Sequence, residues 1–367
     1  IHERLVGSEM CIRDRLYIHR VLLNYMFHRS IHGVMSPGVQ CLVDKTISSI
    51  HHGDIVHPCV RFCEHGCIGH KWWMVYTPYY GADPALENPI LCYGNSETEK
   101  CPDTWIFHSE IKPKPTIGYN SDPNLLIDNN SLIVFWRENQ TQRCTEDKSS
   151  RATYAVRISE DEISEYPHPI LTAKEEFCDS EVSASIIKCN GRYIAYATKV
   201  RFFFKQVRRL PKPIRKIVDQ LLLGIDLLGI YPTHKSYGIA VWEGRSLGQT
   251  FELKAVNRIK GTNHLYQPWH LDVFEYQNKL YAIIQTNQCN ADICLAHSSD
   301  GVNFEFFKLP LITNKSINKI GIYKPCAIVV DGIFHLFYTA QDLDNRELNK
   351  FYHTSIPFND LLDKLNG

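Results

Sequence analysis

One three-strand unit recurs five times along this chain, and no other feature constrains the fold as tightly. Each unit opens with an apolar strand that starts at a polar residue: VHPCVRF from Val56, SDPNLLI from Ser121, VSASIIKC from Val182, QPWHLDVF from Gln267 and YKPCAIVV from Tyr323. A strand rich in aromatic and β-branched residues follows: KWWMVYTPYY, SLIVFWREN, RYIAYATKV, KLYAIIQT and IFHLFYTA. A third strand closes the unit: NPILCYGNS, RATYAVRIS, YGIAVWEGRS, DICLAHSSDG and KFYHTSIP. The turns between first and second strands include DNNS, CNGR, YQNK and VDGI, hairpin strings with Asn or Gly where positive φ is needed. Successive starts are 65, 61, 85 and 56 residues apart, a longer period than the roughly 40–50 of common propeller repeats. Five such units predict an all-β, five-bladed β-propeller, in which each blade buries its faces against its neighbours. A β-sandwich gives no reason for a unit to repeat five times.

The long 85-residue gap contains an insertion, Leu210 to Tyr231, and returns to the period without it. Its apolar stripe (Ile214, Ile217, Val218, Leu221, Leu222, Ile225, Leu228) predicts a helix over 210–231, placed between blades 3 and 4. Lys212, Arg215 and Lys216 make it basic, so it is read either as packed on the propeller or as a membrane-surface or partner contact. Residues 1–15 contain GSEMCIRDR, which resembles a translated sequencing-adapter artefact of metagenomic gene models and is set aside. Residues 16–50 are read as an N-terminal arm and 51–367 as a single propeller domain.

Lys+Arg and Asp+Glu are both 40, so the net charge is zero and there is no basic field for nucleic acid. Hydrophobic residues are 44%, too many for a disordered chain. The 13 cysteines lack paired CxxC spacing, even at Cys59, Cys63 and Cys67. They are read as free thiols of a reducing, cytoplasmic compartment, and no metal ligand set is expected.

In a propeller the first strand of each blade lines the central channel, and polar residues at the strand starts converge on one mouth. Here those positions offer His57, Asp122, Glu181, His270 with Asp272, and Lys324. Convergent polar groups in a concavity are the default site hypothesis. Paired carboxylates such as Asp122 and Glu181 suit glycoside hydrolysis, where one acid gives a proton while another stays ionised. Aromatic residues (Trp72, Trp73, Tyr76, Tyr79, Tyr80, Trp136, Trp269) offer flat faces for sugar rings or ordinary blade packing; Trp269, beside His270, is the expected ligand contact.

These blade starts resemble those of the five-bladed glycosidases of glycoside hydrolase families 43, 32, 68 and 130. SDPNLLI matches the second-blade acid at Asp122, and SEVSASII the third-blade acid at Glu181. HPCVRF…GHKWWMVYTPYYG…ENPILCYGNS is similar to the first blade of family-43-like proteins from bacteria and phages, marked by HP, YWMxYTPY and ENP. The resemblance implies that Glu181 is the general acid and that Asp122 orients it, tunes it or binds sugar hydroxyls. His57, Glu87, Arg137, Trp269, His270 and Lys324 are then the expected substrate contacts. His57 stands where families 43 and 32 have the first-blade Asp, so the base is open among Asp54, Glu87, Asp272 and His57. No cofactor is implied; a channel ion held through a His and waters is the one addition the family allows. The expected function is cleavage or transfer of a glycosidic bond in a bacterial poly- or oligosaccharide. The alternatives are a phosphorylase, with Arg137, His57 and Lys324 around phosphate, an inactive carbohydrate-binding propeller, or a scaffold acting through 210–231.

Overall fold

Five antiparallel sheets follow one another along the chain and close into a ring. The computed structural model describes residues 45–46, 54–79, 83–116, 118–140, 150–172, 179–202, 214, 234–261, 268–286, 292–313, 319–342 and 349–366. Blade 1 holds β2 (Ile55–Cys67), β3 (His70–Pro78), β4 (Ile90–Gly94) and β5 (Trp105–Glu110), after an N-terminal β1 (Lys45–Thr46). Blade 2 holds β6 (Tyr119–Asp128), β7 (Ser131–Gln140), β8 (Ser150–Ile158), β9 (Ile163–Glu165) and β10 (Leu171–Thr172). Blade 3 holds β11 (Asp179–Cys189), β12 (Arg192–Phe202), β13 (His234–Gly244) and β14 (Glu252–Asn257). Blade 4 holds β15 (Pro268–Tyr276), β16 (Lys279–Thr286), β17 (Asp292–Ser298), β18 (Glu305–Phe306) and β19 (Ile312–Thr313). Blade 5 holds β20 (Lys319–Val330), β21 (Ile333–Asp342) and β22 (Lys350–Pro357), and β1 adds its outermost strand beside β22. The five-bladed propeller expected from the repeat is the fold found.

The first hairpin of every blade turns through two residues. Both have positive φ at Ile68–Gly69, Asn190–Gly191, Gln277–Asn278 and Asp331–Gly332, the geometry that matches strand twist. Second strands are apolar over their middle stretches because both of their faces are buried there. Alternation then sends successive side chains to opposite neighbours. Trp72, Met74 and Tyr76 pack toward blade 5, whereas Trp73 and Val75 pack toward blade 2. Five apolar clusters result, one in each seam between blades. Each large side chain buried there contributes about 1.5–3 kcal/mol.

Polar side chains stitch the first strands together around the channel. Cys59 Sγ accepts the Leu125 amide (3.3 Å), Asn124 Oδ1 that of Ile186 (3.1 Å), and Ser185 Oγ that of Val273 (2.9 Å). Asp272 Oδ2 accepts from Ala327 N (3.2 Å), and Cys326 Sγ from Val60 N (3.3 Å). Each blade thus caps the next, and the fifth returns to the first. Burial keeps the Cys59 thiol neutral by pushing its pKa up to about 11. Arg61 crosses the channel to Asp272 with two bonds, Nη1–Oδ2 at 3.0 Å and Nη2–Oδ1 at 2.7 Å.

Two expectations change. The insertion falls inside blade 3 rather than between blades 3 and 4: β12 and β13 are its second and third strands, and they pair up to Phe202↔His234. The helix expected over 210–231 lies, Ile214 aside, outside the described residues. The helix the structure does describe is C-terminal, α1 (Phe358–Asn366). Its Phe358, Leu361 and Leu365, at helical spacing, pack into the seam of blades 4 and 5. No helix among the described residues is long and apolar enough to cross a membrane.

The side chains of Arg61 and Asp272 are only 13% and 3% exposed, so the pair behaves as a buried one. Removing one partner of such a pair strands the other charge, a loss of about 3–5 kcal/mol. Arg61→Ala is therefore expected to lower the midpoint of denaturant unfolding by that equivalent. A change below about 1 kcal/mol would reduce the pair to a surface contact.

Candidate active site

A β-bulge at the entrance of every first strand builds the channel mouth. The ladder gains one residue between Val56 and Cys59, Ser121 and Asn124, Val182 and Ser185, Pro268 and His270, and Tyr323 and Cys326. Such a bulge re-aims a side chain out of the regular alternation. In four blades the bulge residue takes positive φ: His57 at 59°, Asp122 at 50°, Ser183 at 48° and Lys324 at 31°. Positive φ is uncommon for a residue other than glycine, and such conformations gather at functional sites. In blade 4 the bulge residue is Trp269, and His270 beside it faces the group.

Asp122 is the hub. Its Oδ1 accepts from Ser183 Oγ at 2.6 Å and lies 3.3 Å from His57 Nε2, 3.8 Å from His270 Nδ1 and 3.9 Å from Lys324 Nζ. Its Oδ2 is paired with Arg137. Burial alone would raise the Asp122 pKa, but the surrounding cations outweigh it and hold the carboxyl well below its usual range. Ser183 gives its proton to Asp122, so it accepts from His270 Nδ1. Burial drives the His270 pKa well below that of a free imidazole, so the ring is neutral. Its Nε2 has no hydrogen-bond partner among the described residues. Lys324 Nζ also donates to the Pro123 carbonyl at 2.9 Å, and burial lowers its pKa against the pull of Asp122.

A second carboxylate arrives from outside the first strands. Glu87 follows the 3-10 turn Pro84–Leu86, and its Oε2 lies 3.3 Å from His57 Nδ1. The loop is clipped in place by Asn120 N to Glu87 O (3.2 Å) and Asn120 Nδ2 to Asn88 Oδ1 (2.8 Å). Asn88 Nδ2 also donates to Glu110 Oε1 at 2.7 Å, which gives the ENP string its purpose. Burial raises the Glu87 pKa, although His57 pulls the other way. One imidazole therefore separates a carboxyl biased toward protonation from one held ionised. Thr77 Oγ1 touches the same His57 Nδ1 at 2.9 Å.

The structure brings His57, Glu87, Asp122, Arg137, His270 and Lys324 into this group as expected positions of the site. Asp272, also expected in the site, lies apart from this group. It sits one step further down the channel, where Arg61, Asn124, Ser185 and the Ala327 amide occupy its oxygens, so it holds blades together. Asp54, a candidate base, is fully buried and accepts from the amide and side chain of Asn349, both at 2.9 Å. Trp269 is 4% exposed and packs with Val200 and Tyr323, and Trp72, Trp73, Tyr76 and Trp136 belong to the seams. Glu181 pairs through its backbone with Lys199, and its side chain lies outside the described residues. Ser183, two residues on, fills the blade-3 bulge instead. The aligned strand starts already set Ser183 opposite His57 and Asp122. Tyr323, whose ring lies 5.2 Å from His57 and 4.6 Å from His270, carries no comparable signal.

His57, Asp122 and His270 also each offer a donor atom within 4.8 Å of the others, a set able to hold a cation.

No protein-family model and no curated protein matches the chain. Solved structures do. An N-acetylgalactosamine deacetylase from F. plautii, in complex with blood group B trisaccharide, aligns at TM-score 0.63 with 15% identity, over 90% of this chain and 97% of its own. A thermostable family-43 glycoside hydrolase aligns at 0.57 with 11% identity, over 84% and 91%. A levansucrase from B. megaterium aligns at 0.54 with 8% identity, over 88% and 89%. At these identities the likeness is one of fold, and in fold the chain resembles the five-bladed glycosidases of family 43 and the levansucrase.

Proposed function

We propose that this chain is a carbohydrate-active hydrolase working at the channel mouth, with Glu87 as its acid and Asp122 as its fixed anion. The observation that carries this reading is the pair of buried carboxylates on opposite nitrogens of His57. Their environments push the two protonation states apart, the arrangement that cleavage of a glycosidic bond needs. Glu87 hands its proton to the leaving oxygen. Asp122 stays ionised and, through Ser183, fixes the tautomer of the neutral His270 beside it. Glu181 was expected as the acid by resemblance; Glu87 takes that role because its side chain is seated against the group.

A second reading has its own support. The donor set His57, Asp122 and His270 favours hydrolysis assisted by a divalent cation, and the F. plautii neighbour is a deacetylase acting on an N-acetylated sugar. Arg137 and Lys324 both face Asp122, so they give phosphorolysis no separate support.

The test is a turnover screen on glycosides and N-acetylated sugars, each with and without chelator and phosphate. Glycoside release that survives chelator supports the first reading, and chelator-sensitive acetate release the second. Glu87→Gln is expected to lower kcat/KM about 10²–10⁴-fold, the usual yield of general acid catalysis, while Glu181→Gln leaves most activity in place. The reverse order would return the acid role to Glu181.

The same shifts set the pH profile. Asp122 has a depressed pKa, so the acid limb should fall below the usual carboxylate range. Glu87 has a raised pKa, so activity should persist above the usual glutamate value and be lost as pH climbs through it. A profile of kcat/KM with an acid limb near the ordinary carboxylate value would contradict the assignment.

Asp122→Asn should cost stability as well as activity, because Arg137 and Lys324 would stay buried without their anion. The expected loss is about 3–5 kcal/mol, read from the unfolding midpoint.

A further inference from the structure

Away from the mouth, the seam between the last and first blades holds a second cluster of donor atoms. His335 on β21 and His353 on β22 are diagonal neighbours on one face of blade 5, since Phe337 pairs with His353 and His335 with Ser355. Their rings stack at 13° with centroids 5.2 Å apart, and His335 Nδ1 faces His353 Nε2 at 3.0 Å. Cys101 reaches them from blade 1, on the connection between β4 and β5. One donor atom from each of the three lies within 4.8 Å of the others. Both histidines are nearly sealed, 6% and 8% exposed, with Trp72 edge-on to His335 and Phe337 stacked on His353.

From this juxtaposition we infer that Cys101, His335 and His353 form a metal site of the zinc class that ties blade 5 to blade 1. The donors are one sulfur and two imidazole nitrogens, the borderline-soft set that selects zinc among common divalent ions. Bonds of about 2.0–2.3 Å to a tetrahedral ion set its donors roughly 3.3–3.8 Å apart. The three donor atoms, all within 4.8 Å of one another, stand near that spacing, and the fourth position is left for water. Trp72 and Phe337 give the two imidazoles an apolar wall.

The location supplies a purpose. A ring fold must join its two ends, and here the ends meet in blade 5, where the two-residue β1 pairs Lys45 with His353. Elsewhere in that seam the channel strands are joined by a sulfur acceptor, Cys326 to Val60. A metal bound by side chains of both blades would stiffen this closure. The site is separate from the channel mouth and independent of the activity proposed there.

The test is titration of the metal-free full chain with Co²⁺, followed by displacement with Zn²⁺. One equivalent of Co²⁺ should give the near-ultraviolet thiolate-to-metal band and strong tetrahedral visible absorption, and Zn²⁺ should abolish both. Zn²⁺ should also raise the melting temperature, as a ligand of the native state does. Cys101→Ser should lose the thiolate band. His353→Gln keeps the thiol and should weaken binding at least about tenfold. His270→Gln, at the mouth, should leave the band unchanged. No thiolate band in the parent chain, or a band that survives Cys101→Ser, would overturn the proposal. So would a zinc-induced stabilisation equal in parent and Cys101→Ser.

Discussion

Five side-chain-to-amide hydrogen bonds, each from one blade's channel strand to the next, define the geometry on which the rest of this molecule depends. Apolar seams hold neighbouring blades together but permit sliding, because dispersion and burial have little direction. The ring of Cys59, Asn124, Ser185, Asp272 and Cys326 supplies direction. It fixes each first strand in register with the next, two residues below the bulge that presents a mouth residue. Asn124 sits beneath Asp122, and Ser185 beneath Ser183. The site's alignment across blades is therefore inherited from the ring. A carboxylate at Asp272 is tolerated in that ring because Arg61 reaches it from below.

Charge explains why Asp122 is the centre of the mouth. A carboxylate this deeply buried would be neutral if it stood alone. Arg137 first, with His57 and Lys324, reverses that outcome, and in turn Asp122 lets two cations remain inside the protein. The network is reciprocal, so replacing any one member disturbs the protonation of several. His57 in the first blade makes this arrangement possible: it stands between Glu87, whose pKa burial raises, and Asp122, whose pKa is held low.

Much of the fold was legible because the signals are local and repeated. The hairpin turns, the apolar second strands and the polar strand starts each recur, and each has a direct physical cause. The place of the insertion was harder: its helical stripe is local, but its membership in blade 3 follows from β12 and β13 pairing across it. The site divides the same way. His57, Asp122 and Lys324 were readable as residues before proline at matched positions, whereas Asp272 looked equally exposed to the channel. Its role depends on Arg61, an exchange between blades that no single strand records. Glu87 was readable as a candidate contact or base on a loop, but its aim at His57 depends on the Asn88 and Asn120 clips.

The connection between second and third strands carries a broader meaning. In blade 1 that connection delivers Glu87 to the mouth. In blade 3 the same junction opens at Phe202 and closes at His234, and the ladder beneath it is already complete. Chain added there does not have to be accommodated by the core, because the paired strands close under it. The propeller thus separates two tasks: the ring fixes the strand starts that meet at the mouth, and the connections between second and third strands can vary in length without disturbing it. A lineage could exchange whole rim segments while leaving the five channel strands untouched.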